Sequence, residues 1–324
     1  MAATYTDPQL HGLVRTMLKE LPTSFSDAED EARLAELQSA DAATLAKTID
    51  HTLLAPTASP TDIVTLCTVA HRAGTASVCV NSNMLAFAVA ALTQLRKDAP
   101  APSDGEGGVV PIAVVGFPFG SANTAGKVAE TVQALADGAR EIDMVQALSY
   151  LRAGLFSYVL NDIRAVVAAS RHAAGGLEKE AAPVKVILET ANLTRDQIAT
   201  SALLACLAGA DYIKTSTGYA LAPLEGRPLG ARVEDVRLMR WVAAYHERVF
   251  LAVAEQGVAG KRVKVKASGG IGSAEALRRM LAAGADRIGA SRTEAIVKEL
   301  TVPAGAGAAA TDSAAAAAAS SDAY

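Results

Sequence analysis

Four times along the chain a helical stretch stops at a small-residue turn and a short apolar strand begins at once. The turns are Ala73-Gly74-Thr75 before 77–81, Gly138-Ala139-Arg140 before 141–145, Gly209-Ala210-Asp211 before 212–216, and Gly284-Ala285-Asp286 before 287–291. Glycine just past a helix enters the left-handed conformation without a Cβ clash, so each turn reads as a helix end. Four further strands fit between them, at 48–51, 111–116, 184–190 and 263–268. Helical patterns follow each strand, near 60–73, 84–97, 123–137, 154–173, 194–208, 232–247, 273–283 and 291–300. Eight strands alternating with eight helices over about 250 residues predict an α/β protein, a closed (β/α)8 TIM barrel. An open doubly wound sheet is the alternative, but no G-x-G-x-x-G follows the first strand.

The ends differ from this middle. Residues 1–45 read as an N-terminal helical extension, 46–302 as the barrel and 303–324 as a tail. Leu10, Leu13, Val14, Met17 and Leu18 follow the spacing of one helix face. Such a helix could open a targeting segment, but the acidic run from Asp27 to Glu31 argues for packing on the domain instead. Ser26 and Glu29 have capping-box spacing, so a second helix is expected to begin at Ser26. In the tail twelve of 22 residues are alanine, with nothing able to bury a core, so it reads as flexible. Its last residue, Tyr324, is its only aromatic.

A barrel of this kind carries its active site at the C-terminal ends of the strands. That rule reduces the chain to Asp50, Cys79, Asp143, Glu189, Lys214, Lys266 and Ser291. Residues two apart on a strand share a face. Ile142 and Met144 suit the helix layer and turn Glu141 and Asp143 inward; Ile213 turns Tyr212 and Lys214 inward; Val263 and Val265 do the same for Lys264 and Lys266. Two neighbouring strands thus each end in an inward lysine. An amine attacks a carbonyl only when neutral, whereas an ordinary lysine has a pKa of ~10.4. A second cation nearby and partial desolvation both disfavour the charged form, which is what a Schiff-base enzyme needs. The alternative is that the lysines form plain ion pairs with Asp143 and Glu189.

The loops after these strands suit an anion. Lys214-Thr215-Ser216-Thr217-Gly218, Ala267-Ser268-Gly269-Gly270 and Gly289-Ala290-Ser291 offer small residues whose N–H groups can converge on a phosphate, the last of them just before a helix. No carboxylate cluster or H-x-H pair accompanies them, so the phosphate is expected to belong to a substrate, with no metal and no cofactor. A net charge of −4 gives no basic face for nucleic acid and no polybasic membrane anchor. The apolar run 109–117 is far short of the ~20 residues a membrane helix needs. Three cysteines without paired spacing make no disulfide framework, which fits the cytoplasm.

Taken together, these stretches resemble deoxyribose-phosphate aldolase. The likeness rests on Ile49-Asp50-His51-Thr52-Leu53-Leu54, Val78-Cys79-Val80, Val115-Gly116-Phe117-Pro118-Phe119-Gly120 and Glu141-Ile142-Asp143-Met144-Val145. It continues through Lys185-Val186-Ile187-Leu188-Glu189-Thr190, Ile213-Lys214-Thr215-Ser216-Thr217-Gly218 and Val265-Lys266-Ala267-Ser268-Gly269-Gly270-Ile271, in order, over roughly 46–298. The resemblance implies a metal-independent class I aldolase on a (β/α)8 barrel. Such an enzyme reversibly cleaves 2-deoxy-D-ribose 5-phosphate to acetaldehyde and D-glyceraldehyde 3-phosphate. It implies that Lys214 is the Schiff-base lysine, Lys266 its cationic neighbour, Asp143 part of the proton relay and Asp50 an acid supporting it. Gly218, Gly269, Gly270 and Ser291 match phosphate-holding positions, with Thr217 beside them. Some members also end in a tyrosine that assists proton transfer, the place Tyr324 holds here. The partners implied are a small sugar phosphate and an aldehyde, with self-association into a homo-oligomer open. Tyr219 stands where some members carry a basic residue, and Arg292 where others carry a second serine. Another Schiff-base aldolase or transaldolase, or a non-catalytic sugar-phosphate sensor, are the rival readings.

The remaining candidates have plainer expectations. Cys79 faces inward near the mouth, as a packed small hydrophobe or a contact to substrate. His51 points outward by parity, for a structural hydrogen bond. His11, His71, His172 and His246 are expected on helix surfaces, Trp241 between helix and barrel, and Glu189 paired with Lys185 or Lys214.

Overall fold

The computed structural model describes residues 4–98, 108–173, 181–251 and 262–301. Eight parallel strands close into one barrel in sequence order: β1 (Ile49–Leu53), β2 (Ser77–Val80), β3 (Val110–Val115), β4 (Glu141–Val145), β5 (Val184–Ile187), β6 (Tyr212–Lys214), β7 (Lys264–Ser268) and β8 (Arg287–Ala290). The expected strands are all present, β4 at the expected bounds and the others moved by one to three residues. The largest change is after β5. There the chain leaves the sheet at Ile187 and turns through a short 3-10 helix at Thr190–Asn192.

Three helices precede the barrel: α1 (Asp7–Glu20), α2 (Ala28–Ser39) and α3 (Ala42–Ala46). Those between the strands are α4 (Pro60–Ala73), α5 (Leu85–Asp98), α6 (Thr124–Ala136), α7 (Leu148–Arg152), α8 (Phe156–Ala173), α9 (Arg195–Ala208), α10 (Val233–His246) and α11 (Ala274–Ala282), and α12 (Thr293–Thr301) follows β8. The local chemistry explains their bounds. Ser59 and Asp62 close a capping box on α4, with Pro60 in the first turn, and Thr194 and Gln197 do the same for α9. Gly74, Gly138, Gly209 and Gly284 all take positive φ, which lets each helix stop and its strand start within a few residues.

The N-terminal helices pack as the periodicity of α1 requires. Leu10, Val14 and Met17 are buried against α8 and α9, and α2 lies along α11. The cap of α2 departs from expectation: Asp27, not Ser26, is its N-cap. Ser26 Oγ instead accepts the Ala28 N–H at 3.2 Å, and no capping box forms. Tyr324 and the rest of 302–324 lie outside the described residues.

Strand parity divides the interior. Outward residues such as Ile142, Met144, Val184, Val186, Ile213, Val265 and Ile288 join one large apolar core between sheet and helices. Inside the barrel, Leu54, Cys79, Ile112 and Val114 make a separate small cluster, against which Phe117 and Tyr219 pack. The rest of the inner face carries the charged groups Asp50, Asp143, Lys185, Lys214 and Lys266. At ~25 cal/mol per Å2 of apolar surface buried, the outer core supplies the stability that lets the interior hold ionised groups.

Candidate active site

Asp143 lies at the centre of the charged half and is fully buried. Its Oδ2 accepts hydrogen bonds from Lys214 Nζ and Lys266 Nζ, each at 2.8 Å, and its Oδ1 accepts one from Lys185 Nζ at 2.9 Å. Sharing one oxygen keeps the Lys214 and Lys266 nitrogens no further apart than twice that contact. Lys185 also pairs with Glu141. Lys266 reaches a second acid, with Nζ 2.5 Å from Asp50 Oδ2. Asp50 Oδ1 accepts from Ser77 Oγ at 2.5 Å and from Arg287 Nε at 2.9 Å.

Register produces this arrangement. Asp143 is the β-ladder partner of Lys185, and Lys214 of Lys266, so four inward side chains from four consecutive strands point at one another. The electrostatics follow from the count of charges. Burial works against the Asp143 carboxylate, but the three surrounding lysines outweigh it and hold its pKa well below the ordinary carboxylate range. Asp50 is lowered likewise, by Lys266 and Arg287 against burial. Burial also opposes the Lys266 ammonium, yet Asp143 and Asp50 override it and raise its pKa above the usual lysine value. Lys266 is therefore a fixed cation. Lys185 is raised in the same way by Asp143 and Glu141.

Of the two readings of the lysines, the ion-pair one holds for Asp143 and fails for Glu189. Glu189 makes no ion pair among the described residues. Its carboxylate accepts the Thr217 hydroxyl and, at 3.3 Å, the Thr217 backbone N–H, and burial raises its pKa. Its backbone is left-handed, with φ 56, the one positive-φ residue other than glycine among the described residues. Such strain concentrates at functional sites.

The phosphate candidates are spread over three loops. Gly218, Gly269 and Gly270 have φ 86, 91 and 73. Thr217 is committed, since Tyr219 N–H also donates to its hydroxyl, at 2.9 Å. Gly269 is pressed against Gly230: a Cβ there would stand 2.8 Å from Gly230 Cα, while Ala231 N–H donates to Gly269 O at 3.1 Å. Ser291 is exposed, and the stem of the neighbouring Arg292 rests on Gly272, joining the loops after β7 and β8.

Four polar atoms near this mouth are buried with no hydrogen-bond partner among the described residues: Thr190 Oγ1, Asn192 Oδ1, Ser216 Oγ and Ser268 Oγ. Buried polar groups are nearly always satisfied, so these four stand out beside the phosphate loops. None of the four was picked out individually from sequence, though Ser216 and Ser268 lie in the loops that were. Lys185, Arg287 and Ser77 were also missed as site residues. Parity could have found Lys185, which sits between Val184 and Val186.

The other candidates sort simply. Cys79 is fully buried in the small apolar cluster, and burial pushes its thiol up to about 11, so it is packed as a hydrophobe. His51 is turned outward, its Nδ1 2.8 Å from Thr293 Oγ1. His246 departs from expectation: it is buried and stacks on Phe250 at 5.4 Å. Trp241 stacks on Tyr245 at the edge of the core. Among the described residues no group of three His, Cys, Asp or Glu side chains is placed to hold a metal ion.

Three comparisons bear on this site. Residues 44–310 match the model of the DeoC/LacD family of aldolases. The chain is 40% identical over 255 residues to the deoxyribose-phosphate aldolase of a Thermoanaerobacter species, covering 79% of this chain and 96% of that one. Among solved structures, a protein of Coccidioides immitis described as a candidate deoxyribose-phosphate aldolase superposes with a TM-score of 0.71 at 32% identity, covering 92% and 99% of the two chains. The deoxyribose phosphate aldolase of Aeropyrum pernix, described as tetrameric, superposes with a TM-score of 0.66 at 25% identity, covering 85% and 97%.

Proposed function

Because the chain belongs to the DeoC/LacD family of aldolases, we propose that it cleaves 2-deoxy-D-ribose 5-phosphate reversibly to acetaldehyde and D-glyceraldehyde 3-phosphate through an imine on Lys214. The observation that carries this reading is the shared oxygen: Lys214 and Lys266 both bond to Asp143 Oδ2. One amine beside a permanent cation and a buried carboxylate is a set suited to carbonyl addition followed by proton transfer.

In the proposed sequence the neutral Lys214 amine adds to the C1 carbonyl of the open-chain sugar. The carbinolamine loses water to give an iminium ion. A base then removes the C3 hydroxyl proton, and the C2–C3 bonding pair moves into the iminium, releasing D-glyceraldehyde 3-phosphate. The enamine left on Lys214 takes a proton at C2, and water returns acetaldehyde and the free amine. Asp143 is the proton carrier, directly or through water. Its affinity for a proton is tied to the state of Lys214, because a neutral carbinolamine nitrogen removes one of the three cations that keep the carboxylate ionised. Lys266 holds the field positive throughout, and Asp50 fixes Lys266 in place. Gly218, Gly269, Gly270 and Ser291 receive the phosphate, with the orphan hydroxyls of Ser216 and Ser268 as further donors. Tyr324 belongs to this proposal as a proton donor to the enamine carbon, on sequence grounds alone.

Assembly into a homo-oligomer is part of the same reading, supported by the tetrameric Aeropyrum pernix relative. So is a cytoplasmic location, supported by three buried free cysteines and by the lack, among the described residues, of any helix long and apolar enough to cross a membrane. Borohydride reduction in the presence of deoxyribose 5-phosphate tests the central claim. The reduced adduct is expected on the peptide that contains Lys214; an adduct on Lys266 or Lys185 would refute the assignment.

A further inference from the structure

At the opposite end of the barrel from the mouth, a cavity of about 460 Å3 opens between α2, α10 and α11. Three guanidinium groups line it: Arg33 from α2, Arg240 from α10, and Arg262 just ahead of β7. Two carboxylates face the same space, Glu36 and Asp286. Asp286 is engaged within the cavity wall. Its Oδ1 takes the 2.9 Å ion pair with Arg262 Nη2, and its Oδ2 accepts the Val265 N–H at 2.9 Å. Glu36 is exposed at the rim.

Among the described residues that line the cavity, three arginines face two carboxylates, an excess of one positive charge. Arg240 Nη1 is buried with no hydrogen-bond partner among the described residues. Its stem is pinned over Gly284, where a Cβ would meet Arg240 Cγ at 2.9 Å, so the head group is held in place. Arg33 contributes one long bond, Nη1 to Ala282 O at 3.5 Å. Burial and the repulsion of Arg262 and Arg33 lower the pKa of Arg240 against the pull of Asp286 and Glu247, though a guanidinium stays charged at any ordinary pH. Guanidinium forks lining one open space can bind a phosphate bidentately.

We propose that this cavity is a second anion site, taking a phosphate group on Arg240, Arg33 and Arg262 at the N-terminal face of the barrel. It is separate from the mouth in position and in every residue. It depends on α2, since Arg33 comes from the segment ahead of the first strand. Inorganic phosphate and a phosphomonoester offer the same dianionic head, and the cavity has room for either.

Calorimetric titration of inorganic phosphate, and in parallel of glycerol 3-phosphate, into the wild-type chain, Arg33→Met and Arg240→Met tests the site. The mouth is intact in all three chains, so any phosphate it binds is common to them. One class of binding should weaken about fivefold in Arg33→Met, the loss of one exposed charge-assisted bond, and more in Arg240→Met. KM for deoxyribose 5-phosphate should stay unchanged in both. A loss seen with both titrants supports a site open to phosphomonoesters, and a loss with inorganic phosphate alone supports a site for the free ion. Arg33 is exposed, so its replacement does not threaten folding. Identical isotherms for wild type and Arg33→Met overturn the proposal.

Discussion

Lys214 and Lys266 are direct partners across the β6–β7 ladder, and both side chains turn inward to the same oxygen atom of a third strand. Two ammonium groups side by side in a buried interior repel each other by several kcal/mol even at an effective dielectric of 20. The carboxylate between them makes the pair tolerable. It also means that chemistry at either nitrogen is felt at Asp143 and, through it, at the other lysine.

Asp143→Asn removes the proton carrier but keeps a hydrogen-bond acceptor in place. Turnover should fall by a factor of ~100 to 10,000, the usual worth of general acid–base catalysis. Imine on Lys214 should still be trapped by borohydride, at reduced yield. Near-normal turnover in this variant would move the relay to another group.

Lys185→Met takes one cation away from Asp143 and leaves Glu141 and Asp143 short of a partner. Breaking a buried pair in this way costs about 3–5 kcal/mol, read as a lower denaturation midpoint. The pH profile should move as well. The lysines hold the Asp143 pKa down, so losing one raises it, and the carboxylate then protonates at a higher pH on acidification. The acid limb of kcat/KM should shift upward in pH; an unmoved limb would separate Lys185 from the relay.

Gly269→Ala places a Cβ 2.8 Å from Gly230 Cα at a residue with φ 91. A non-glycine residue held there costs about 1–3 kcal/mol. If this loop receives the phosphate, KM should rise for deoxyribose 5-phosphate and change little for free deoxyribose. Equal rises for both substrates would remove Gly269 from the phosphate site.

Glu189→Gln should change the pH dependence of stability. Burial raises the carboxyl pKa in the folded chain, so between the unfolded value and the raised one the folded state binds more protons. The wild type therefore loses stability as pH rises through that window, and glutamine does not. Measured by denaturant at pH 4 and pH 8, the variant should gain on the wild type at the higher pH. A constant difference between the two would show that the carboxyl does not titrate there.

Most of the barrel was readable because its signals are local. A glycine that ends a helix, a polar residue that caps the next one, and a two-residue parity are written within a few positions of each other. They placed Asp143, Lys214 and Lys266 on the inner face. What sequence did not carry was the identity of partners across strands. Glu189 looked like a lysine partner because both are strand-end charges. The turn after Ile187 swings it instead to Thr217, on the loop beyond β6, and no periodicity encodes that swing. Arg287 was passed over for a related reason. It opens β8 rather than ending it, yet its guanidinium reaches Asp50. The Ser26 cap failed because the chain began its helix one residue later than the box requires.

The bond between Asp50 and Arg287 joins positions 237 apart in the chain, almost the whole length of the barrel. During synthesis Asp50 emerges before the rest of the barrel, and the cations that neutralise it, Lys266 and Arg287, belong to the last two strands. Until β7 and β8 arrive, Asp50 of β1 lacks both of its cations, Lys266 and Arg287. The pairing of Asp50 therefore coincides with closure of the barrel, with the loop-closure entropy of a distant contact to overcome. A chain halted before its last strand would hold the three lysines around Asp143 but leave Asp50 without Arg287.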